Sequence, residues 1–176
     1  MGWCTDVDEL VGSLAANDGL WNQHAPRREQ YAHSRISDIW VRYNDWANYH
    51  GDLAAFNGPH RSVWYPAFRA LPSLKPVLSS VLRMAGGGRL GGVLITKVPP
   101  GARVEPHIDG GWHAGYYDKY ALQLKGNAEQ AFCFEGYSLS AEPGELYTFD
   151  NSKLHWVYNM SDEDRMTLIV CIRGAR

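Results

Sequence analysis

From Val93 to Arg173 the chain breaks into short β-forming runs separated by turn formers, and this punctuation constrains its fold more than any other feature. The runs are 93–98, 103–109, 119–125, 128–135, 145–150, 154–159 and 164–173. Between them stand Pro99-Pro100-Gly101, Gly110-Gly111, Gly126-Asn127 and Pro143-Gly144. Strands this short and closely spaced, with no helical period between them, predict a sandwich or barrel. The last run is the clearest. Its alternation puts Arg165, Thr167, Ile169 and Cys171 on one face, and Met166, Leu168, Val170 and Ile172 on the other. Lys125-Gly126-Asn127-Ala128 reads as a tight hairpin.

The first half differs. Residues 6–16 have the spacing of a short helix, with Leu10, Val11 and Leu14 on one face and Asn17-Asp18-Gly19 ending it. Residues 21–34 are polar and irregular, 36–43 form a strand, and 44–65 form a long aromatic-rich loop. Residues 66–84 predict one helix or two, broken near Pro72 and Pro76. Glycines 86–88 and 91–92 form a connector into the next strand. They run from helix to strand, the reverse of a phosphate loop. The whole predicts a mainly β (α+β) fold, a double-stranded β-helix or cupin-like jelly roll braced by N-terminal helices. At 176 residues one domain is expected, with 1–90 as support and 91–176 as the catalytic core.

On that framework sits His107-Ile108-Asp109, followed by His155 and Arg165. In a strand, residues i and i+2 point the same way, so His107 and Asp109 reach one point while Ile108 packs into the opposite face. Two imidazoles and a carboxylate on one face, with the remaining positions open, suit a non-haem ferrous ion. His155 arrives from a second strand, and the planar fork of Arg165 is made for a carboxylate. The alternatives are a hydrogen-bonded core pair for His107 and Asp109, a structural role for His155, and a surface ion pair of Arg165 with Asp162 or Glu163. Order, sheet context and the β pattern around Arg165 favour the metal site. His113 is read as a loop histidine and a candidate substrate contact, and His24, His33, His50 and His60 as structural or solvated. The stretch from Trp40 to His50 is read as core and lid packing, with Arg42, Trp46 and Tyr49 as its cleft candidates. Trp112, Tyr116 and Trp156 are the candidate walls.

These segments resemble the aspartyl/asparaginyl β-hydroxylase-like family of 2-oxoglutarate-dependent dioxygenases. The resemblance runs from about Leu71 to Arg173. It rests on Leu94–Gly101, Val104–Asp109 and Phe149–His155, continuing as His155-x-x-x-Asn159-x-Ser161-x-x-x-Arg165. It implies Fe(II) held by His107, Asp109 and His155, 2-oxoglutarate anchored by Arg165, and O2 as cosubstrate. An unactivated carbon of an aspartyl, asparaginyl or prolyl side chain, or of a free small molecule, would be hydroxylated with release of succinate and CO2. Thr96 and Lys119 are its candidate helpers in holding 2-oxoglutarate. Some members lack the carboxylate ligand, whereas this chain has Asp109. Where the family places an Arg-x-His pair, this chain has Lys119-Tyr120-Ala121. Asn159 and Ser161 are expected to fix the turn after the metal strand. A cupin-like metalloenzyme that does not use 2-oxoglutarate, and a non-enzymatic ligand-binding barrel, are the alternatives.

A formal net charge of −2 leaves no electrostatic footprint for nucleic acid or for a membrane surface. The expected partner is therefore a small molecule or a peptide or protein side chain, and composition sets no oligomeric state. Cys4, Cys133 and Cys171 are odd in number and far apart, as reduced thiols are. With no apolar run of membrane length and no signal-type start, a cytoplasmic protein is expected.

Overall fold

The computed structural model describes residues 5–24 and 26–174. Its helices are α1 (Asp8–Ala16), α2 (Leu53–Phe56), α3 (Ala67–Ala70), α4 (Leu74–Met84) and α5 (Gly111–Tyr116). The strands are β1 (Ser37–Tyr43), β2 (Val63–Trp64), β3 (Arg89–Val98), β4 (Arg103–His107), β5 (Asp118–Lys125), β6 (Gln130–Phe134), β7 (Tyr137–Leu139), β8 (Leu146–Phe149), β9 (His155–Asn159) and β10 (Arg165–Arg173). They form a six-stranded sheet in the order β2-β1-β3-β10-β5-β8 and a four-stranded sheet in the order β4-β9-β6-β7. From β3 onward the chain deals its strands evenly between the two sheets, all antiparallel. This is the double-stranded β-helix, a jelly roll. Among the described residues no helix is long and apolar enough to cross a membrane.

The largest apolar cluster lies outside the roll. Leu10 and Leu14 of α1 and Leu74, Val77, Leu78 and Val81 of α4 pack against the six-stranded sheet, whose contribution includes Ile95, Leu122, Leu168 and Val170. The alternation of β10 decides this. Leu168 and Val170 are fully buried against the helices, and the opposite row faces the space between the sheets. A smaller cluster, Ile36, Val98, Ala102, Val104, Phe132 and Val157, closes one end of that space. After β9, Asn159 fixes the turn. Its amide donates to Val98 O (2.9 Å) and Glu163 O (2.7 Å), and its oxygen accepts from the Ser161 backbone N–H (3.0 Å).

Several expectations need correction. The segment Lys125–Ala128 is not a hairpin, because β5 pairs with β10 and β8 while β6 pairs with β9 and β7. It crosses between sheets. The tight hairpin joins β6 to β7 through Glu135-Gly136, with Gly136 at φ 76° as such a turn requires. Pro76 lies inside α4 without breaking it, since in the first turn its missing N–H has no helical partner to lose. Gly91 and Gly92 belong to β3, not to a connector. A Cβ on Gly91 would lie 2.6 Å from the Tyr117 ring, so the bare backbone makes room for an aromatic. The 44–65 loop carries α2 and β2. Residues 110–117 hold the short helix α5, where glycines suggested only a turn. Cys133 and Cys171 are buried free thiols, and Cys4 lies outside the described residues.

Candidate metal centre

His107 ends β4 and His155 begins β9, and the two are register partners across the four-stranded sheet. Their ring centroids are 4.4 Å apart. Each ring's Nδ1 lies 2.8 Å from a backbone carbonyl two residues upstream, Glu105 for His107 and Lys153 for His155. A carbonyl only accepts, so each Nδ1 carries the proton and each Nε2 keeps its lone pair. Asp109 lies just past the strand, and its N–H donates to Asn151 O at 3.0 Å, which pins the turn to the β8–β9 connection. One carboxylate oxygen is 3.7 Å from His107 Nε2 and the other 3.7 Å from His155 Nε2. The three ligand atoms all lie within 4.8 Å of one another, so they can hold one metal ion. Ile108 departs from the expected picture. Because β4 stops at His107, its side chain turns outward, 58% exposed, at the mouth of the cleft.

Lys119 of β5 donates to Asp109. Burial raises the carboxyl's proton affinity, but Lys119 and the two imidazoles outweigh it and hold Asp109 below the usual carboxylate range. Burial also lowers the proton affinity of His107 and keeps that ring neutral. His33 stands edge-on to His107 at 4.7 Å, itself buried and driven far below the ordinary histidine value by burial and then by Arg27. Arg27 pairs with the buried Asp38 at 3.6 Å.

Behind the triad, between the sheets, the cavity reaches Arg165. Arg165 is 4% exposed and donates to Thr167 Oγ1 (2.7 Å) and the Tyr147 hydroxyl (3.1 Å). Among the described residues it has no carboxylate partner. Thr96 is the register partner of Thr167 and lines the same cavity. Lys119 lines that cavity at its triad end. It lies opposite Cys171, three same-face positions from Arg165, or about 20 Å of strand. It therefore serves the triad end.

In front of the triad a cleft of about 350 Å³ opens to solvent, walled in part by Arg27, Trp40, Arg42, Tyr43 and His113. The guanidinium of Arg42 lies 5.1 Å above the Trp64 ring and donates to Gly91 O at 3.2 Å. His113 is on α5 rather than in a loop, and burial, with His60 beside it, lowers its proton affinity to about 3. All three candidate walls, Trp112, Tyr116 and Trp156, fall outside. Trp112 stacks on Tyr116 at 4.9 Å and does not line the cleft. Trp156 alternates with His155 and Val157, which puts it on the far face of its sheet. Trp46 and Tyr49 stack on each other at 4.9 Å around Phe56, beside the cleft rather than in it.

The sequence profile of the aspartyl/asparaginyl beta-hydroxylase family matches residues 8–174. The chain belongs to that family. The match begins far upstream of Leu71, so the supporting helices and β1 are part of the family pattern too. Among curated protein sequences none matches. Solved structures similar to the chain include a sugar phosphate isomerase from a cupin superfamily from Silicibacter pomeroyi, 14% identical, covering 88% of this chain and 69% of that one with a TM-score of 0.43. A predicted oxalate decarboxylase from Thermotoga maritima is 22% identical over 52% of this chain and 72% of its own, at 0.39. A cupin domain from Bordetella pertussis Tohama I is 18% identical over 49% and 85%, also at 0.39. At these scores the likenesses carry no functional argument.

Within this hydroxylase family the chain's departure at Ala121 acquires a structural answer. The cross-strand partner of Ala121 is Tyr147, and Tyr147 supplies the hydroxyl that meets Arg165. Alternation along β8 marks Tyr147 and Phe149 as inward-facing. Nothing in the periodicity of residues 21–34 marks Arg27, which reaches the site from a turn, or His33, which ends a single 3-10 turn (Tyr31–His33) in a segment expected to be irregular.

Proposed function

We propose that this protein is an Fe(II)- and 2-oxoglutarate-dependent hydroxylase of a small substrate. One observation carries the reading: a buried guanidinium without an acidic partner closes the cavity whose other end is the His107-Asp109-His155 cluster. A buried charge is costly unless paired. The far carboxylate of 2-oxoglutarate is the partner Arg165 lacks, and a planar fork binds it in bidentate fashion. Thr167 and Tyr147 hold the fork in place.

The donor set fits ferrous iron. Two imidazoles present Nε2 and one carboxylate stays ionised, leaving the remaining positions open. Iron with 2-oxoglutarate and O2 supplies the oxidising chemistry that converts an unactivated C–H to C–OH, with succinate and CO2 as coproducts. The chain's own residues do the rest. The carbonyls of Glu105 and Lys153 aim the imidazoles, and Lys119 balances the charge of Asp109. Phe132 and Phe149 keep water from the inner cavity. A cleft of about 350 Å³ is in the range of small-molecule sites and supports a small or exposed substrate group.

The test is anaerobic titration of the purified protein with Fe(II) and 2-oxoglutarate, following the visible absorption of the chelate. A band that is lost in Arg165→Ala is expected. Iron binding without a band would favour a cupin-like enzyme that does not use 2-oxoglutarate. No iron binding would overturn the reading, and so would full turnover in His155→Ala or Asp109→Ala.

A further inference from the structure

Arg42 forms part of two clefts at once. One is the cleft in front of the triad, and the other is a neighbouring surface cleft lined also by Arg61, Ser62, Trp64, Arg89 and Tyr117. Three guanidinium groups converge there and no carboxylate lines it. Some cations elsewhere are matched: Arg27 with Asp38, Lys97 with Asp164, Arg103 with Glu105, Lys125 with Glu163. Others, such as Arg35 and Arg69, are not matched among the described residues. What distinguishes this cleft is that its three arginines stand together. Among the described residues Arg42, Arg61 and Arg89 take part in no ion pair. Two polar atoms of this wall, Arg42 Nε and Ser62 Oγ, are buried without a hydrogen-bond partner. Clustered guanidinium groups repel one another, and the fold holds Arg42 among them by the Gly91 carbonyl and the Trp64 face. An exposed arginine cluster that were only a solvated face would need neither the fixed stem nor the orphaned donors.

We propose that this arginine cleft binds the anionic group of the substrate, a carboxylate or phosphate, while the substrate's reacting carbon lies in the adjoining cleft before the triad. The proposal rests on the hydroxylase reading for its second half and not for its first. Arg42 is the hinge between the halves, since an anion seated on Arg61 and Arg89 also touches the wall of the reacting cleft. The substrate class is then a small acid or phosphomonoester, and the uncompensated positive charge disfavours cationic compounds.

The experiment is calorimetric titration of the full-length protein with inorganic phosphate and, separately, with malonate, which distinguishes the two anion sources. Wild type, Arg61→Ala, Arg89→Ala and Arg165→Ala are compared. Saturable binding of at least one probe is expected. It should weaken about tenfold or more in Arg61→Ala or Arg89→Ala, the loss of one charge-assisted contact, and stay unchanged in Arg165→Ala. Absence of saturable binding overturns the proposal, and so does a loss confined to Arg165→Ala, which would put the anion in the inner cavity. The Fe(II) and 2-oxoglutarate band should persist in Arg89→Ala. If that band is absent from wild type while the arginine-dependent anion binding holds, the oxygenase reading fails and the anion site stands. Small acids, phosphomonoesters and neutral analogues are then screened for succinate formation. The accepted compounds should be anionic and show a raised KM in Arg89→Ala with kcat unchanged. Acceptance of a neutral compound with an unchanged KM in that variant overturns the substrate assignment.

Discussion

Arg165 donates to two hydroxyls, and a hydroxyl is neutral. Desolvating a guanidinium against neutral acceptors leaves its charge uncompensated, which favours the unfolded chain. Arg165→Leu is therefore expected to leave the metal-free protein as stable as wild type or more so in urea denaturation, while abolishing 2-oxoglutarate binding. A loss of about 3 kcal/mol or more, the cost of breaking a buried pair, would show that the charge has a structural partner after all. Ile108 is the contrasting residue. The two-residue period of a strand puts it in the core, but the strand ends one residue too soon and it faces solvent. Ile108→Ala should change stability by less than about 0.5 kcal/mol, read as a shift in the same denaturation midpoint. The clustering of His107, Asp109 and His155 was legible in the sequence because spacing and residue type both carry it. Tyr147 was not, because its role depends on a cross-strand partner, Ala121, that only register identifies.

At the scale of elements, the strands of the roll follow from alternation and turn formers to within a few residues, except β7 (Tyr137–Leu139), which no predicted run covers because three residues are too few to show a period. Which sheet each strand joins does not. Lys125–Ala128 has the composition of a hairpin and serves as a crossover, since turn chemistry is local and sheet assignment is not. Gly91 shows the same limit. It reads as punctuation, yet it is a strand residue kept bare by Tyr117. Gly91→Ala should destabilise by about 1–3 kcal/mol through overpacking. Gly87→Ala meets no neighbouring atom and is strained only by its positive φ. The pair separates crowding from backbone strain when both are measured by thermal unfolding. α5 escaped because glycines at 110, 111 and 115 hide a six-residue helix that places His113 against Tyr43 and Tyr117.

For the whole molecule, acid sensitivity follows from its histidines. His24, His33, His60 and His113 are all held below the ordinary value, chiefly by burial. A histidine with a lowered folded pKa binds fewer protons than the unfolded chain, so its contribution is full above about 6.5 and declines as pH falls. For His113 the window runs from about 6.5 down to about 3. The midpoint of urea denaturation should fall steadily over that range, and His113→Phe should flatten the slope. An unchanged slope in His113→Phe would mean that the ring is protonated in the folded state.

The helices α1 and α4 bury the large apolar cluster on the outside of the roll, and the space between the sheets is left mostly to the site. Cohesion and chemistry are thus assigned to opposite faces of the same strands. Leu168→Ala, on the cohesive face, should cost about 2–5 kcal/mol. Thr96→Val, one strand over on the chemical face, removes a single weak 3.4 Å hydrogen bond. A chain built this way can exchange its cavity lining without weakening what keeps it folded, so new substrates are open to it through substitutions that a stability screen would not detect.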